Sequence, residues 1–596
     1  MDATNAAAPI SRRPIPGPGI GDFSADRRVL GIAAMALVVG CGGAASAWLL
    51  LKLIALVTNL VWFGRVSTAS VSLTSLRPSA WMVAAPALGG LVIGFMARFG
   101  SEKIRGHGIP EAIEAILIGG SRMSPKVALL KPLSSAISIG AGGPFGAEGP
   151  IIMTGGALGS LFAQLFHLTA AERKALLVAG AAAGMTAIFG TPVAAVLLAV
   201  ELLLFEWKPR SFLPVVVAVA VSAGLRPWLI GAGALFAFAG GPHLDAFVLL
   251  LCAAAGVAAG IQSSLATTLL YGLEDLFERL PFHWMWWPAI GGLVVGLGGL
   301  IEPRALGVGY DTIRDLLNGG LAPAGAGRLL AVKGAIWAVA LASGTSGGVL
   351  APLLILGGAL GFLEGQFLPG GGGFWALIGM AAMLGGTMRA PLTGALFAVE
   401  LTGDFQALLP TLVATSAAYG VTVLVLKRSI LTEKVARRGH HVSREYSVDP
   451  LQQAWVSEIM VSEVDTLPAD MPLAEAVRFF TEGAGPRHKS YPILDGERRV
   501  LGIVSRADVL RWLNGQGRTS ETLGDLAGRH PLVAGAPDEL VARLVERMVA
   551  EDVGRVPILD AQDRLVGLVA RKDLLRVRAR LHEAEGRRST FAGDGA

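Results

Sequence analysis

Between about Arg28 and Leu426 the chain is a succession of apolar segments, and this feature limits its fold more than any other. Several segments are long enough to cross the ~30 Å hydrocarbon core of a bilayer, whereas others are short or interrupted by Gly and Pro. Overall, 53% of the residues are hydrophobic and 16% are charged, which is too apolar for an ordinary soluble protein. Because non-helical backbone inside a membrane requires protein or a watery cavity around it, broken helices predict a solute pathway.

The apolar region contains two related halves. KPLSSAISIGAGGPFGAEGPIIMTGGALG starts at Lys131 and KGAIWAVALASGTSGGVLAPLLILGGALG starts at Lys333, with Lys and Pro 19 residues apart in both. GHGIPEAI and GVGYDTI precede these blocks, and TPVAAVLLAVEL and APLTGALFAVEL follow them. Duplicated membrane halves commonly form one site at their shared midplane, from helix ends that face each other. The sequence therefore predicts an α-helical polytopic membrane protein of two inverted repeats with broken, re-entrant helices, at about 80–210 and 290–426.

One carboxylate stands out within the first repeat. Glu148 is the single Asp, Glu, Lys or Arg between Lys131 and Glu172. Its counterpart in the second repeat is Leu350, so the carboxylate departs from the shared pattern, and a scaffold role would not explain that difference. A neutral, buried Glu satisfied by hydrogen bonds is the alternative to a functional role.

Three glycine-rich turns, GHGIP, GAEGP and GGVLAP, have the form of a helix start. Gly permits close approach and Pro suits the first helical turn, where free N–H groups and roughly half a positive charge are available. An anion in a low-dielectric interior has an idealised desolvation cost on the order of 20 kcal/mol. Full positive charges would hold the ion too tightly for rapid release. These turns are therefore suited to bind an anion through partial charges.

The chain becomes polar after Leu426, and a second kind of repeat follows. YPILDGERRVLGIVSRADVLRW matches VPILDAQDRLVGLVARKDLLRV at an offset of 65 residues. Each copy alternates apolar and polar residues, turns at an Asp and ends in an amphipathic pattern, which predicts strand, turn, strand and helix. The predicted organisation is a disordered arm at 1–28, a membrane domain at 29–430, a linker at 431–450, α/β modules at 451–515 and 516–582, and a disordered tail at 583–596.

Taken in order, GHGIPE, GAEGP, GGVLAP, RAPLTG with FAVELTGD, and SILTEKVARRG resemble the CLC family of chloride channels and proton/chloride antiporters. The C-terminal repeat resembles a tandem pair of CBS domains. The resemblance covers roughly Arg28 to His582. It implies anion transport without enzymatic activity or a required cofactor, and a homodimer with one pathway in each subunit. Arg27 and Arg28 favour a cytoplasmic N-terminus for a protein of the inner membrane. A soluble pair of domains at the C-terminal end then places both chain ends in the cytosol.

The resemblance also implies roles for particular residues. Glu148 would be the gate, because its carboxylate can occupy an anion site as a tethered competitor and move away when it is protonated or displaced. The backbone N–H groups of Val349 and Leu350 and the side chain at position 107 would surround the central anion. The candidate anion-binding residues are His107, Gly108, Gly149, Val349, Leu350 and Leu431. Lys131 would add positive potential, with snorkelling to the membrane interface as the alternative.

Four positions depart from the family pattern. His107 replaces the usual serine and could donate to the ion or point into packing, whereas Leu431 replaces the usual tyrosine. Ala147 lacks the basic side chain often found before the gating Glu, and Leu202 replaces the inward-facing glutamate of antiporters. The loss at Leu202 favours passive, gated conduction over proton-coupled exchange. Glu206 is a candidate substitute proton relay, with a plain interfacial role as the alternative.

In the CBS pair, the family ribose-binding pattern is a Ser or Thr three residues before an Asp. Ser505 and Asp508 keep it, whereas Asp573 follows Ala570 and lacks the hydroxyl partner. The sequence thus predicts at most one adenine-nucleotide site, with a purely mechanical or dimer-forming role as the alternative.

Other classes of function fit the sequence poorly. The membrane half has few acidic residues, which argues against a divalent-cation pathway. It shows no nucleophile with a base and no set of metal ligands, so an intramembrane enzyme is not expected. The net charge of +5 does not indicate a nucleic-acid partner.

Overall fold

The computed structural model describes residues 27–440, 442, 449, 451, 454–481, 488–512, 521–527 and 532–577. The chain divides near residue 444 into a membrane unit and a C-terminal unit. The predicted disordered arm lies outside the described residues except for Arg27 and Arg28, and so does the whole predicted tail. Helix α1 begins at Arg28, so the arm is shorter than predicted by at least this residue.

The membrane unit consists of two series of eight helices and one final helix. Among the described residues, eight helices are long and apolar enough to cross a membrane. The first series is α1 (Arg28–Phe63), α2 (Ala80–Phe99), α3 (Ile109–Leu117), α4 (Pro125–Gly140), α5 (Glu148–Gln164), α6 (Ala170–Phe189), α7 (Pro192–Leu198, continued by a π-helical stretch, Ala199–Leu204) and α8 (Pro209–Leu229). The second is α9 (Ala246–Glu278), α10 (Trp287–Ile301), α11 (Tyr310–Leu317), α12 (Pro323–Ala342), α13 (Leu350–Glu364), α14 (Gly371–Met388), α15 (Pro391–Thr402) and α16 (Leu408–Val425), and α17 (Ile430–Arg437) follows.

The two series match helix for helix, so the repeats are longer than the predicted 80–210 and 290–426. Helices α1 and α9, with 36 and 33 residues, begin the two series, and α8 and α16 end them. These flanking helices have similar lengths and equivalent positions in the two series, but they share none of the repeated sequence motifs. The predicted repeats therefore leave out α1, α9 and most of α8, whereas α16 lies inside the second one.

Two glutamates show that the repeats are inverted relative to each other. Glu201 lies in the π-helical stretch that continues α7. It accepts hydrogen bonds from the backbone N–H and hydroxyl of Thr393, at the start of α15 (2.9 and 2.5 Å). Glu400, near the end of α15, accepts the backbone N–H bonds of Val193 and Ala194, at the start of α7 (3.0 and 2.8 Å). Each carboxylate satisfies free donors at the start of its partner helix, as expected for antiparallel neighbours. This geometry gives both glutamates a scaffold role.

Glycines let α2 and α10 approach closely and in a reciprocal way. A Cβ atom on Gly90 would lie 2.1 Å from the carbonyl oxygen of Pro288, and one on Gly292 would lie 2.1 Å from that of Pro86. Any side chain would therefore separate the two backbones. Small residues at membrane helix contacts allow this close packing.

The predicted linker at 431–450 does not begin at 431, because α17 occupies its first part. Ser429 and Thr432 form a capping box at the start of this helix, and Ile430, Leu431 and Val435 are buried. The capping residues and the apolar face explain why the segment is helical despite its polar composition.

Among its described residues, the C-terminal unit contains two small sheets. Strand β2 (Ser490–Leu494) pairs parallel with β1 (Leu467–Pro468) and antiparallel with β3 (Val500–Ser505), and β4 (Arg555–Leu559) pairs antiparallel with β5 (Leu565–Ala570). The helices are α18 (Val456–Ile459), α19 (Leu473–Thr481), α20 (Arg506–Arg511), α21 (Leu523–Ala527) and α22 (Val541–Ala550). Helical residues 571–577 follow β5. The predicted order of strand, turn, strand and helix is present in both copies.

The cores of the two copies exchange short segments across the predicted boundary near 515. Val456 in α18 packs into the second core, and its N–H donates to the carbonyl of Glu539 (2.9 Å). Leu523 in α21 packs into the first core, and its N–H donates to the carbonyl of Met471 (2.9 Å). A linear repeat in sequence cannot reveal such an exchange, because the exchanged segments lie outside the repeated blocks.

Candidate functional site

The starts of α3, α5 and α13 meet at one place in the membrane unit. Gly146 and Gly348 exchange two backbone hydrogen bonds, of 3.1 and 2.8 Å, which join the turns before α5 and α13. The turn before α3 lies equally close, since a Cβ atom on Gly149 would lie 1.9 Å from the carbonyl oxygen of His107. The structure therefore brings together the three glycine-rich turns that the sequence singled out.

Glu148 is the first residue of α5, and its side chain reaches the start of α13. The carboxylate is fully buried, and Oε1 accepts a hydrogen bond from the backbone N–H of Ala351 at 2.9 Å. The backbone N–H of Leu350 also interacts with this carboxylate. Among the described residues, Oε2 has no hydrogen-bond partner. A negatively charged group thus occupies a helix N-terminus, the position that favours a bound anion.

Two glycines make room for this carboxylate. A Cβ atom on Gly146 would lie 1.8 Å from Oε2 of Glu148, and one on Gly348 would lie 2.7 Å from its Cδ. Any larger residue at either position would displace the carboxylate. The glycines of GAEGP and GGVLAP therefore shape the space for the side chain in addition to forming the turns.

His107 lies beside this point in the turn before α3. The residue is 2% exposed, and neither ring nitrogen has a hydrogen-bond partner among the described residues. Gly108 follows with a positive φ of 89°, and a Cβ atom there would lie 2.7 Å from the side chain of Met153. A buried imidazole always carries at least one N–H, so the ring has a donor available for an anion.

Lys131 does not snorkel to the interface, because it is fully buried. Its Nζ donates to the carbonyl oxygens of Ile104 and Gly106 at 2.8 and 2.7 Å and to Oγ of Ser346 at 3.1 Å. The ammonium group therefore fixes the turn that carries His107 and places a positive charge behind it.

Lys333 repeats this arrangement in the second half. It is fully buried, and its Nζ donates to the carbonyl oxygens of Ala305 and Gly307, both at 2.9 Å. Its charge acts on the carboxylate of Glu148. The lysine whose charge acts on Glu148 is thus Lys333, the first residue of the second repeat block.

Two further candidate anion-binding residues are fully buried. Val349 precedes the first turn of α13, and Leu431 lies in the first turn of α17, which packs against α3. The Leu431 side chain contributes no polar atom to the site. Near it, the hydroxyl of Tyr271 donates to the carbonyl oxygen of Ile430 at 2.5 Å, so that hydroxyl is occupied.

Leu202 and Glu206 lie on the segment between α7 and α8. Leu202 is buried, as are its neighbours in the π-helical stretch, Leu203 and Leu204. Glu206 pairs with Lys174 at 2.8 Å and accepts the hydroxyl of Ser211 at 2.5 Å. Partial burial raises the pKa of Glu206, but these hydrogen bonds and the Lys174 charge together hold that pKa below its ordinary value. The geometry thus favours the anchoring role over the proton relay.

A cavity of about 900 Å³, here called the vestibule, is lined by Tyr310 and by Ala147, the residue before Glu148. Lys52 and Arg304 also line it, and no ion pair engages either of them within the described part of the chain. Arg314, another lining residue, pairs with Asp311 at 3.0 Å. The missing basic side chain at Ala147 is therefore offset by cations from other segments.

The candidate nucleotide residues of the C-terminal unit are engaged in helix capping. The hydroxyl of Ser505 donates to Oδ2 of Asp508 at 2.6 Å, and the two form a capping box at the start of α20. Asp573 accepts the backbone N–H of Ala570 at 2.9 Å and is buried. Ser-x-x-Asp serves as a helix start here, so the pattern alone is not evidence of a ribose site.

Sequence reasoning did not assign Lys333, Ala351 or Tyr310 to the site. The internal repeat contained a signal for two of them, because Lys333 matches Lys131 and the turn before Tyr310 matches the turn that carries His107. Within the described ranges, no group of His, Cys, Asp and Glu could hold a metal ion.

Comparison with known proteins agrees with this geometry. The sequence model of the family described as voltage gated chloride channel matches residues 89–423, and the CBS domain model matches 456–515 and 523–580. A relative from Shigella flexneri, a voltage-gated ClC-type chloride channel, is 31% identical over 63% of this chain and 90% of its own length.

Two solved structures show the same fold. A slow cyanobacterial Cl⁻/H⁺ antiporter matches 70% of this chain and 99% of its own, with a TM-score of 0.60 and 22% identity. A eukaryotic CLC transporter matches 91% of this chain and 98% of its own, with a TM-score of 0.57 and 20% identity.

The family match covers more than half of the chain and includes the glycine-rich turns around Glu148. The protein is therefore a multi-pass integral membrane protein that carries out CLC-type anion transport, and it is not an enzyme. The chain belongs to the voltage-gated chloride channel family and carries a tandem pair of CBS domains at its C-terminal end.

Proposed function

We propose that this protein conducts chloride or a similar small anion passively through a gated pathway. One observation carries the preference for passive conduction. In antiporters of the family that this sequence resembles, a protonatable glutamate occupies the position of Leu202. Here Leu202 is buried among apolar residues. An apolar stretch without a protonatable group is a high barrier to a charged proton.

In the proposed mechanism, the Glu148 carboxylate and the anion compete for the same donors. The backbone N–H groups of Leu350 and Ala351 hold the carboxylate when the gate is closed. Protonation of Glu148 or displacement by an incoming anion frees these donors. The helix terminus then holds the ion by partial charges, which is compatible with rapid release.

Beside Glu148, the imidazole ring of His107 supplies an N–H donor, and Lys131 supplies positive potential. Both groups are buried next to the turn before α3. Gly108, Gly149 and Val349 bring backbone atoms close to the anion, whereas Leu431 contributes an apolar side chain. The loss of the usual serine and tyrosine side chains thus leaves backbone donors and one imidazole as anion ligands.

Proton-coupled chloride exchange is the second candidate function. His107 and the buried Glu111 interact electrostatically. Two titratable groups therefore lie near the pathway, although the side chain of Leu202 cannot carry a proton. Glu111 is paired with Arg438 at 2.9 Å and with Lys434 at 3.7 Å, which favours a fixed charge over a mobile proton. The solved cyanobacterial protein of the same fold is an antiporter.

A liposome experiment separates the two functions. A chloride gradient is imposed without a pH gradient, and chloride and pH are recorded together. We expect chloride efflux without uphill proton movement. Uphill proton movement at a fixed ratio would contradict passive conduction.

The Glu206→Gln variant identifies the route if protons do move. Uphill movement that is abolished in this variant would make Glu206 the relay and would contradict its anchoring role. Uphill movement that persists would point to a route through water or His107. Ser211→Ala is a matched control, because it removes a hydrogen bond to Glu206 without removing the carboxylate.

The assembly and location are part of the same proposal. We propose a homodimer with one anion pathway in each subunit, in the inner membrane, with both chain ends in the cytosol. These features follow from the family resemblance and from the arginines before α1.

For the CBS pair we propose that any adenine nucleotide it binds depends on Asp508 more than on Asp573. Each Asp pairs at 3.3 Å with the arginine three residues later, but Asp508 is partly exposed beside its Ser505 partner, whereas Asp573 is buried. Calorimetry with ATP, ADP and AMP on the detergent-solubilised protein is the test. We expect Asp508→Ala to weaken binding by about tenfold, equivalent to about 1.4 kcal/mol, and Asp573→Ala to weaken it less.

Asp508→Ala also removes a helix cap, which needs its own control. Asp525 forms the same kind of capping box with Thr522 at the start of α21, where its Oδ2 accepts the hydroxyl at 2.7 Å. Asp525→Ala therefore removes a comparable cap without touching the candidate site. Absence of binding to the unmodified protein would leave only the mechanical role.

A further inference from the structure

Besides the ring nitrogens of His107, two further buried polar atoms close to the gate lack a hydrogen-bond partner among the described residues. They are Oε2 of Glu148 and the hydroxyl oxygen of Tyr310. Buried polar groups are nearly always satisfied, so an unpaired acceptor and an unpaired donor in one region require an explanation. An exchange between two positions of one of the groups would provide it.

Tyr310 is held in a fixed direction at the start of α11. Gly309 precedes it with a positive φ of 81°, which turns the chain into the helix. The ring packs edge-on against Phe236, with ring centroids 5.5 Å apart. These two features set the direction of the Tyr310 ring and therefore of its hydroxyl.

The vestibule connects this hydroxyl with the gate. Tyr310 and Ala147 line the same cavity, and Ala147 directly precedes Glu148. The Glu148 carboxylate also acts electrostatically on the Tyr310 hydroxyl. A carboxylate that leaves the start of α13 and swings toward the vestibule would therefore move toward an unoccupied donor.

We propose that the Tyr310 hydroxyl donates a hydrogen bond to the Glu148 carboxylate when this carboxylate leaves the anion site, and so stabilises the open gate. This inference rests on the proposed gating function. Tyr310 acts through Glu148 and is therefore a positioning residue. A neutral hydroxyl suits this task, because a full positive charge would hold the carboxylate more firmly.

The other charged groups around the gate have different assignments. Lys333, on α12, is committed to two carbonyl oxygens. Arg314, on α11, is paired with Asp311. Lys52, on α1, and Arg304 line the vestibule and supply positive potential that draws both the anion and the displaced carboxylate toward it.

The test is a double-mutant cycle in liposomes, with chloride efflux measured for wild type, Tyr310→Phe, Glu148→Ala and the double variant. Tyr310→Phe keeps the ring and removes only the hydroxyl. At neutral external pH we expect it to lower efflux about tenfold when Glu148 is present, equivalent to about 1.4 kcal/mol. In the Glu148→Ala background we expect a change of less than about twofold.

Two readouts separate this role from a packing role. Efflux in Tyr310→Phe should recover at acidic external pH, where a protonated Glu148 no longer needs a donor. Tyr419→Phe is the matched control, because it removes the hydroxyl of an exposed tyrosine on α16 and should leave efflux unchanged.

Equal losses in both backgrounds, or no loss when Glu148 is present, would overturn the role of Tyr310. Failure of the proposed function would look different. In that case wild type itself would show no anion efflux, or Glu148→Ala would show the same dependence on external pH as wild type.

Discussion

Glu148→Ala should yield a folded protein whose anion efflux no longer depends on external pH. The carboxylate now occupies the donors at the start of α13, and its removal leaves them free for the anion. At neutral pH we expect efflux to rise about tenfold, the effect of losing a competitor held by about 1.4 kcal/mol. Chloride efflux from liposomes at several external pH values is the measurement.

Two further variants complete this experiment. Glu148→Gln retains the size of the side chain and should also lose the pH dependence, because an amide carries no negative charge at any pH. Glu364→Gln changes a carboxylate at the opposite end of α13 and should keep the wild-type pH profile. A Glu148→Ala protein that elutes like wild type but has no flux would contradict the gating role.

Lys333→Met should lower thermal stability, and in the Glu148→Ala background, where no carboxylate competes for the site, it should also lower anion efflux. The substitution leaves the carbonyl oxygens of Ala305 and Gly307 without their donor, and each unsatisfied buried group costs about 1–3 kcal/mol. It also removes the positive charge that acts on the gate region, so we expect efflux to fall by about tenfold in that background. Efflux and the melting temperature in detergent are measured on the same preparation.

The conservative variant separates charge from size. Lys333→Arg keeps a positive charge and hydrogen-bond donors, so it should recover part of the efflux if charge matters. Lys131→Met removes the equivalent hydrogen bonds in the first repeat and should lower stability to a similar degree. Unchanged efflux when Lys333→Met is added to Glu148→Ala would contradict an electrostatic role for this lysine.

Much of the fold could be predicted because its causes are local. Apolar segments broken by Gly and Pro indicated helices that end inside the membrane, and Gly-rich turns followed by Pro indicated helix starts. Glu148 was noticeable because a lone carboxylate is costly in an apolar setting. The structure places it at a helix start, next to Ala351.

Other features depended on contacts between distant segments, which one sequence does not show. The exchange of α18 and α21 between the CBS cores has no local signal. The helical start of the predicted linker was missed because the polar composition masked an apolar face that includes Leu431. The roles of Lys333 and Tyr310 depend on their distance from Glu148 in space.

The most direct test of the central claim is whether an anion binds where the Glu148 carboxylate now lies. Crystals of Glu148→Ala grown in bromide would be measured at the bromine absorption edge. We predict an anomalous peak within hydrogen-bond distance of the backbone N–H of Ala351, at the start of α13. A well-ordered map without bromide at this position would contradict the account.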